Sequence, residues 1–131
     1  LERYLTLISR YHEYAYDFIL HSCGRVNDLV DRFIDVGVDV MNMQQPRTYG
    51  IEEIGKRFAG RMCFLTTVDI QATLPTGDPD KIREEAHALV ENWGTADGGF
   101  IVFNYGDGEA INVAPESSDI MFKAFIEKMW L

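Results

Sequence analysis

The chain has 131 residues, 47% hydrophobic and 25% charged, enough for one globular domain with a sizeable core. Twelve basic side chains against 21 acidic ones give a formal charge of −9, which leaves no basic face for nucleic acid. No apolar run approaches a membrane span, and no charged-then-apolar leader opens the sequence. Cys23 and Cys63 are too few for a disulfide framework in a chain this size, so a reducing cytoplasm is the expected compartment. The sequence starts at Leu1 and enters an amphipathic segment at once, so we expect a single partial domain over 1–131, a piece of something longer.

Leu1, Tyr4, Leu5, Ile8 and Tyr11 recur at helical spacing and predict an opening helix. Four strand-then-helix units follow. Tyr16 to Leu20 reads as the first strand. Its helix runs from about Val26 to Val36, with Val26, Leu29, Val30, Phe33 and Ile34 on one face and Gly37 as the stop. Val38 to Met43 reads as the second strand, followed by a helix from about Ile51 to Phe58 that Gly60 ends. Met62 to Ile70 is the third. Asp78 then caps the clearest helix, with Pro79 at its first position and Ile82, Ala86, Leu89, Val90 and Trp93 as the buried stripe. Asp97-Gly98-Gly99 turns into the fourth strand, Phe100 to Asn104. Pro115 opens a last helix carrying Ile120, Phe122, Phe125, Ile126 and Met129.

Strands apolar on both faces and alternating with helices predict a parallel sheet covered by helices. An eight-stranded barrel needs about 250 residues. A doubly wound sheet often carries a glycine-rich phosphate loop after its first strand, and this chain has none. Half a barrel fits the length: an α/β fold of four parallel βα units preceded by a helix. Such a half leaves two open strand edges, so self-association into a homodimer or higher assembly is expected.

In parallel sheets the chemistry gathers at the carboxyl ends of the strands. Those ends carry His21 and Cys23, then Asn42, Gln44 and Gln45, then Asp69 and Gln71, and finally Asn104 and Asp107. All should rise around one rim and take a small-molecule substrate. An imidazole and a thiol two residues apart suit zinc, and Asp107 is the candidate third ligand. The plainer reading makes His21 a strand-end cap and Cys23 a small core residue. Asp69, with Gln71 extending the polar end, either orients a substrate or binds its own turn. Gln44, Gln45 and Arg47 either recognise a substrate carboxylate or form an ordinary loop.

Several residues read as structural. Cys63 sits in an apolar stretch, His12 and His87 lie on helices, and Trp93 and Trp130 fall on buried helix faces. Glu84-Glu85 reads as a solvated helix face. No serine occupies a nucleophile elbow, and no His-Glu-x-x-His pattern occurs.

These segments, in order, resemble the C-terminal half of the uroporphyrinogen decarboxylase superfamily, including its corrinoid-linked methyltransferase branch. The matching stretches are His21-Ser-Cys-Gly24, Gly37-Val-Asp-Val-Met-Asn42, Gln45-Pro46, Val68-Asp-Ile-Gln71, Gly77-Asp-Pro79 with Ile82-Arg-Glu-Glu85, Gly98-Gly-Phe-Ile-Val102 and Val113-Ala-Pro-Glu116. The resemblance implies a (β/α)8 barrel of which this chain is roughly the second half. In the methyltransferase branch it implies zinc on a His-x-Cys pair and a later Cys, activating a thiol, with a corrinoid, held by a corrinoid protein, as methyl donor. His21 and Cys23 match the first two positions, whereas Asp107, within Asn104-Tyr-Gly-Asp-Gly108, stands near the later one. In the decarboxylase branch the implied reaction is porphyrinogen decarboxylation without a cofactor, and the arginine-rich motif and aspartate of that branch do not map onto this sequence. The leading expectation is metal-assisted thiol or methyl-group chemistry, with Asp69, Gln71 and Asn104 as catalytic candidates and Asn42, Gln44, Gln45 and Arg47 on the substrate. Decarboxylation, and a catalytically incomplete half-barrel that acts by self-association, are the alternatives.

Overall fold

The computed structural model describes residues 1–129. Four short strands, β1 (Ile19–His21), β2 (Val40–Met43), β3 (Cys63–Thr66) and β4 (Phe100–Val102), form one sheet in the order β1-β2-β3-β4. All three pairings are parallel. Helices fill the crossovers: Val30–Asp35 (α2, entered through a 3-10 turn at Asn27–Leu29), Pro46–Tyr49 (α3) with Ile51–Phe58 (α4), and Pro79–Trp93 (α5). Glu2–His12 (α1) precedes the sheet, and Pro115–Met129 (α6) follows it. Consecutive parallel neighbours joined by helical crossovers are the arrangement of half a (β/α)8 barrel.

Register sorts the strand side chains onto two faces. Leu20, Met41, Phe64 and Phe100 share one row and point to the helices. There Phe64 stacks against Trp93 with ring centroids 4.8 Å apart, and Phe100 lies 5.9 Å from Phe125. Ile82, Ala86, Leu89 and Trp93 of α5 are all fully buried, each large apolar side chain contributing roughly 1.5–3 kcal/mol. The Trp93 indole N–H donates to the Ile51 carbonyl at 2.8 Å, satisfying the one polar atom it buries. Helices α4 and α5 approach closely because Gly55 has no side chain: a Cβ there would sit 2.3 Å from the Asn92 carbonyl oxygen.

On the opposite face, His21, Asn42, Leu65 and Ile101 form one row. Asn42 is buried on it, while Ile101 on the edge strand stays 44% exposed.

Several expected boundaries move. The first strand begins at Ile19 because Ala15 turns the chain with a positive φ and Phe18 gives its backbone to Asp39. The third strand stops at Thr66, where residues 67–73 fold into a turn around Asp69. A short helix at Pro46–Tyr49 was not expected, although Pro46 at its first turn is the usual entry signal. Asp78 caps α5 as expected, accepting from the backbone N–H groups of Asp80 and Lys81. Of the α1 stripe only Ile8 is buried, and Leu1, Tyr4, Leu5 and Tyr11 are exposed. Ile126 and Met129 of α6 are exposed as well, and Trp130 lies outside the described residues.

Candidate functional site

The four strands deliver their carboxyl ends to one side, and a cavity of about 700 Å³ opens there. His21, Cys23, Gln44, Gln45 and Gln71 line it together with Tyr105 and Asn112 from the chain after β4. Asn104 does not line it. It faces an adjoining cavity of about 670 Å³ that shares Tyr105 and Asn112, and its side-chain oxygen accepts from the Ser118 hydroxyl at 3.4 Å.

His21 and Asn42 are direct register partners on adjacent strands, and His21 Nδ1 lies 2.7 Å from Asn42 Oδ1. Asn42 is buried with a strand on either side, so its carboxamide fixes the imidazole from a rigid element. The other ring nitrogen, Nε2, lies 3.2 Å from Cys23 Sγ. Two further bonds hold the loop between them. The Tyr49 hydroxyl donates to the Ser22 carbonyl at 2.8 Å, and the Gly24 N–H donates to Gln45 Oε1 at 3.3 Å. Burial, with the nearby acidic groups of Cys23 and Asp69, pushes the Tyr49 phenol up to about 12, so it remains a donor. Thus Asn42 and Gln45, expected on the substrate, engage the His21–Gly24 loop. Tyr49 carried no functional expectation at all.

Asp69 is buried and accepts three backbone N–H groups, from Arg47 at 3.2 Å and from Gln71 and Ala72 at 2.9 Å each. Of its two expected roles, the turn-binding one is the one its contacts describe. Its own N–H donates to Glu85 Oε1 at 2.7 Å, and the Thr73 hydroxyl donates to Glu85 Oε2 at 2.5 Å. Glu85 is therefore no solvated residue: it is 6% exposed, and burial holds its carboxyl above the ordinary 4.5 against its hydrogen bonds and Arg47. Its place was readable, since Glu85 falls three residues after Ile82 and four before Leu89, on the buried stripe of α5. Arg47 lies 3.5 Å from both Glu85 Oε2 and Thr73 Oγ1, which turns it away from the strand-end cavity. It lines a different groove between α4 and α5.

Asp107 rises on the same side as His21 but lines neither cavity, and its carboxylate accepts the Ala110 N–H at 3.0 Å within the following turn. Zinc on His21 and Cys23 needs a third protein donor. Among the described residues no three His, Cys, Asp or Glu side chains stand close enough to hold an ion. The residues present fit a two-donor pair and not a three-ligand metal site. The remaining expectations are plainer. Cys63 is half-buried, and burial with the nearby Asp17 pushes its thiol up. His12 ties α1 to Asp39 at 2.8 Å, and His87 packs between helices 3.7 Å from Glu127.

Sequential parallel βα units with a cavity at their strand ends define the class of half-barrel α/β domains. A family model described as uroporphyrinogen decarboxylase (URO-D) matches residues 1–127. The chain belongs to the uroporphyrinogen decarboxylase family. No curated protein matches it. Among the described residues no helix is long and apolar enough to cross a membrane.

Proposed function

We propose that this chain supplies one half of a small-molecule active site of the methyltransferase-like kind, in which thiol or methyl-group chemistry takes place at His21 and Cys23. The observation that carries this reading is the 3.2 Å contact between an imidazole nitrogen and a thiol at the mouth of the strand-end cavity. A thiol beside a base is the equipment of a soft nucleophile. Nothing in porphyrinogen decarboxylation calls for it. The cavity lining argues the same way: it contains no Lys or Arg, and two neighbouring guanidiniums, those of Arg25 and Arg47, are directed to Glu53 and Glu85. A porphyrinogen bearing many carboxylates needs cations on its rim. A neutral wall of amides suits a small, weakly charged substrate.

The test uses the natural polypeptide that contains this chain, with methylcobalamin as the probe donor and 2-mercaptoethanol as the acceptor. In the balanced step the acceptor sulfur forms a bond to the methyl carbon and the carbon–cobalt bond breaks. Its electron pair stays on cobalt, and the thiol proton is released. Loss of methylcobalamin absorbance together with the methyl thioether seen by mass spectrometry is the expected result. His21→Gln, which removes the base that takes the acceptor's thiol proton, should lower that rate about a hundredfold. Turnover of uroporphyrinogen without methyl transfer would overturn the reading in favour of decarboxylation.

A further inference from the structure

We infer that Asn42, His21 and Cys23 act together as a metal-independent nucleophile, with Cys23 reacting directly with soft alkyl electrophiles. This deepens the reading of the same site and rests on it for the substrate class alone. The argument starts from Asn42. Its Oδ1 only accepts, so at 2.7 Å the His21 Nδ1 must be the nitrogen that carries the proton. In the neutral ring the lone pair is then on Nε2, the atom 3.2 Å from Cys23 Sγ, and the thiol donates to it. Orienting amide, base and thiol follow one another in the order that activates cysteine nucleophiles generally.

The support behind this order is rigid. Asn42 is 8% exposed in a strand paired on both sides, and Tyr49 and Gln45 pin the loop backbone on either side of Cys23. The thiol itself is exposed, so an electrophile in the cavity can reach it. Zinc would need a third donor to complete its shell, and among the described residues no third His, Cys, Asp or Glu stands close enough to His21 and Cys23 to supply one.

Iodoacetamide is the probe. The Cys23 sulfur forms a bond to the methylene carbon, the carbon–iodine bond breaks, and iodide leaves with the bonding pair. The thiol proton passes to His21 Nε2. Peptide mass spectrometry on the intact chain follows both cysteines, with half-buried Cys63, whose thiol burial pushes up, as the internal reference. Cys23 should be alkylated about tenfold faster than Cys63 or more, at a rate that neither chelator nor equimolar zinc alters. His21→Gln and Asn42→Leu should each slow Cys23 about tenfold, and Asn42→Asp, which keeps the acceptor, should restore it. An unchanged Cys63 rate in these variants reports an intact fold. Equal rates for the two cysteines in the parent would overturn the inference. Protection of Cys23 by equimolar zinc, release by chelator, or a parental rate in His21→Gln would do the same. Failure of methyl transfer leaves these alkylation rates untouched, so the two readings fail separately.

Discussion

Glu85 offers the sharpest test of how the strand-end loops are held. Its two oxygens accept from the Asp69 N–H at 2.7 Å and the Thr73 hydroxyl at 2.5 Å, and its burial holds the carboxyl above the ordinary 4.5. Glu85→Gln keeps both contacts: the amide oxygen accepts from Asp69, and the amide nitrogen donates to the Thr73 oxygen. It removes the buried charge. Glu85→Ala leaves two buried donors unpaired, at about 1–3 kcal/mol each, so a loss of about 2–6 kcal/mol is expected. The sign of the pH dependence follows from linkage. With the native carboxyl raised above its unfolded value, the folded state binds more protons in that window. The native state is therefore favoured most below the unfolded value and loses stability as pH rises through the raised one. Glu85→Gln has no such loss. Urea unfolding at about pH 5 and about pH 8 should show the Gln variant gaining on the parent at the higher pH, with the Ala variant below Gln at both. If Gln proves as damaging as Ala, or if the gap between Gln and the parent ignores pH, the buried-carboxylate account is wrong.

Gly55→Ala should destabilise the chain by about 2 kcal/mol or more in a thermal melt, because the new Cβ meets the backbone of Asn92 at 2.3 Å and that atom has no rotamer to yield. Tyr49→Phe should cost about 1 kcal/mol by removing the bond to the Ser22 carbonyl. It should also slow Cys23 alkylation while leaving Cys63 unchanged, and a parental Cys23 rate would remove Tyr49 from the site. Among the described residues the outer sides of β1 and β4 pair with no strand, and Ile19 and Ile101 are exposed on them. Light scattering of the isolated chain should therefore give a mass above that of one copy, and a clean monomer would show these edges to be tolerated alone.

The fold was legible because hydrophobic period and punctuation agree along the chain. The units centred on Val40–Met43 and Cys63–Thr66, the Asp78 cap and the α5 stripe all follow from local rules that no distant contact overrides. Asp69, Glu85 and Asp107 have one thing in common: a polar side chain bound to backbone that lies far off in sequence or folds in an unforeseen turn. Asp69 ends β3 early by gathering the N–H groups of Arg47, Gln71 and Ala72. Glu85 looks solvent-facing beside Glu84 until the helical spacing places it under the Asp69 turn. Asp107 suits a metal by type and order along the chain, yet it does not group with His21 and Cys23 and instead caps the turn that follows it. Residue type at a strand end announces that polar groups gather there; it does not say which of them are already spent.

That distinction divides the cavity into support and working surface. The segment Asn42–Tyr49 acts as a platform: Asn42 aims the imidazole, Gln45 takes the Gly24 N–H, and Tyr49 holds the Ser22 carbonyl. Asp69 then anchors the platform's own backbone through the Arg47 N–H, and Glu85 anchors Asp69. The chain of contacts runs from the buried face of α5 to Cys23, through residues of neighbouring βα units. Gln44 and Gln71 belong to the working surface. Both line the cavity, and neither side chain is hydrogen-bonded to another described residue. Substitutions in the first set act on the geometry of the thiol, whatever the substrate. Replacing Gln44 or Gln71 by Leu should leave the Cys23 alkylation rate as it is and change only which acceptor the cavity prefers, because those amides are the ones still free to bind.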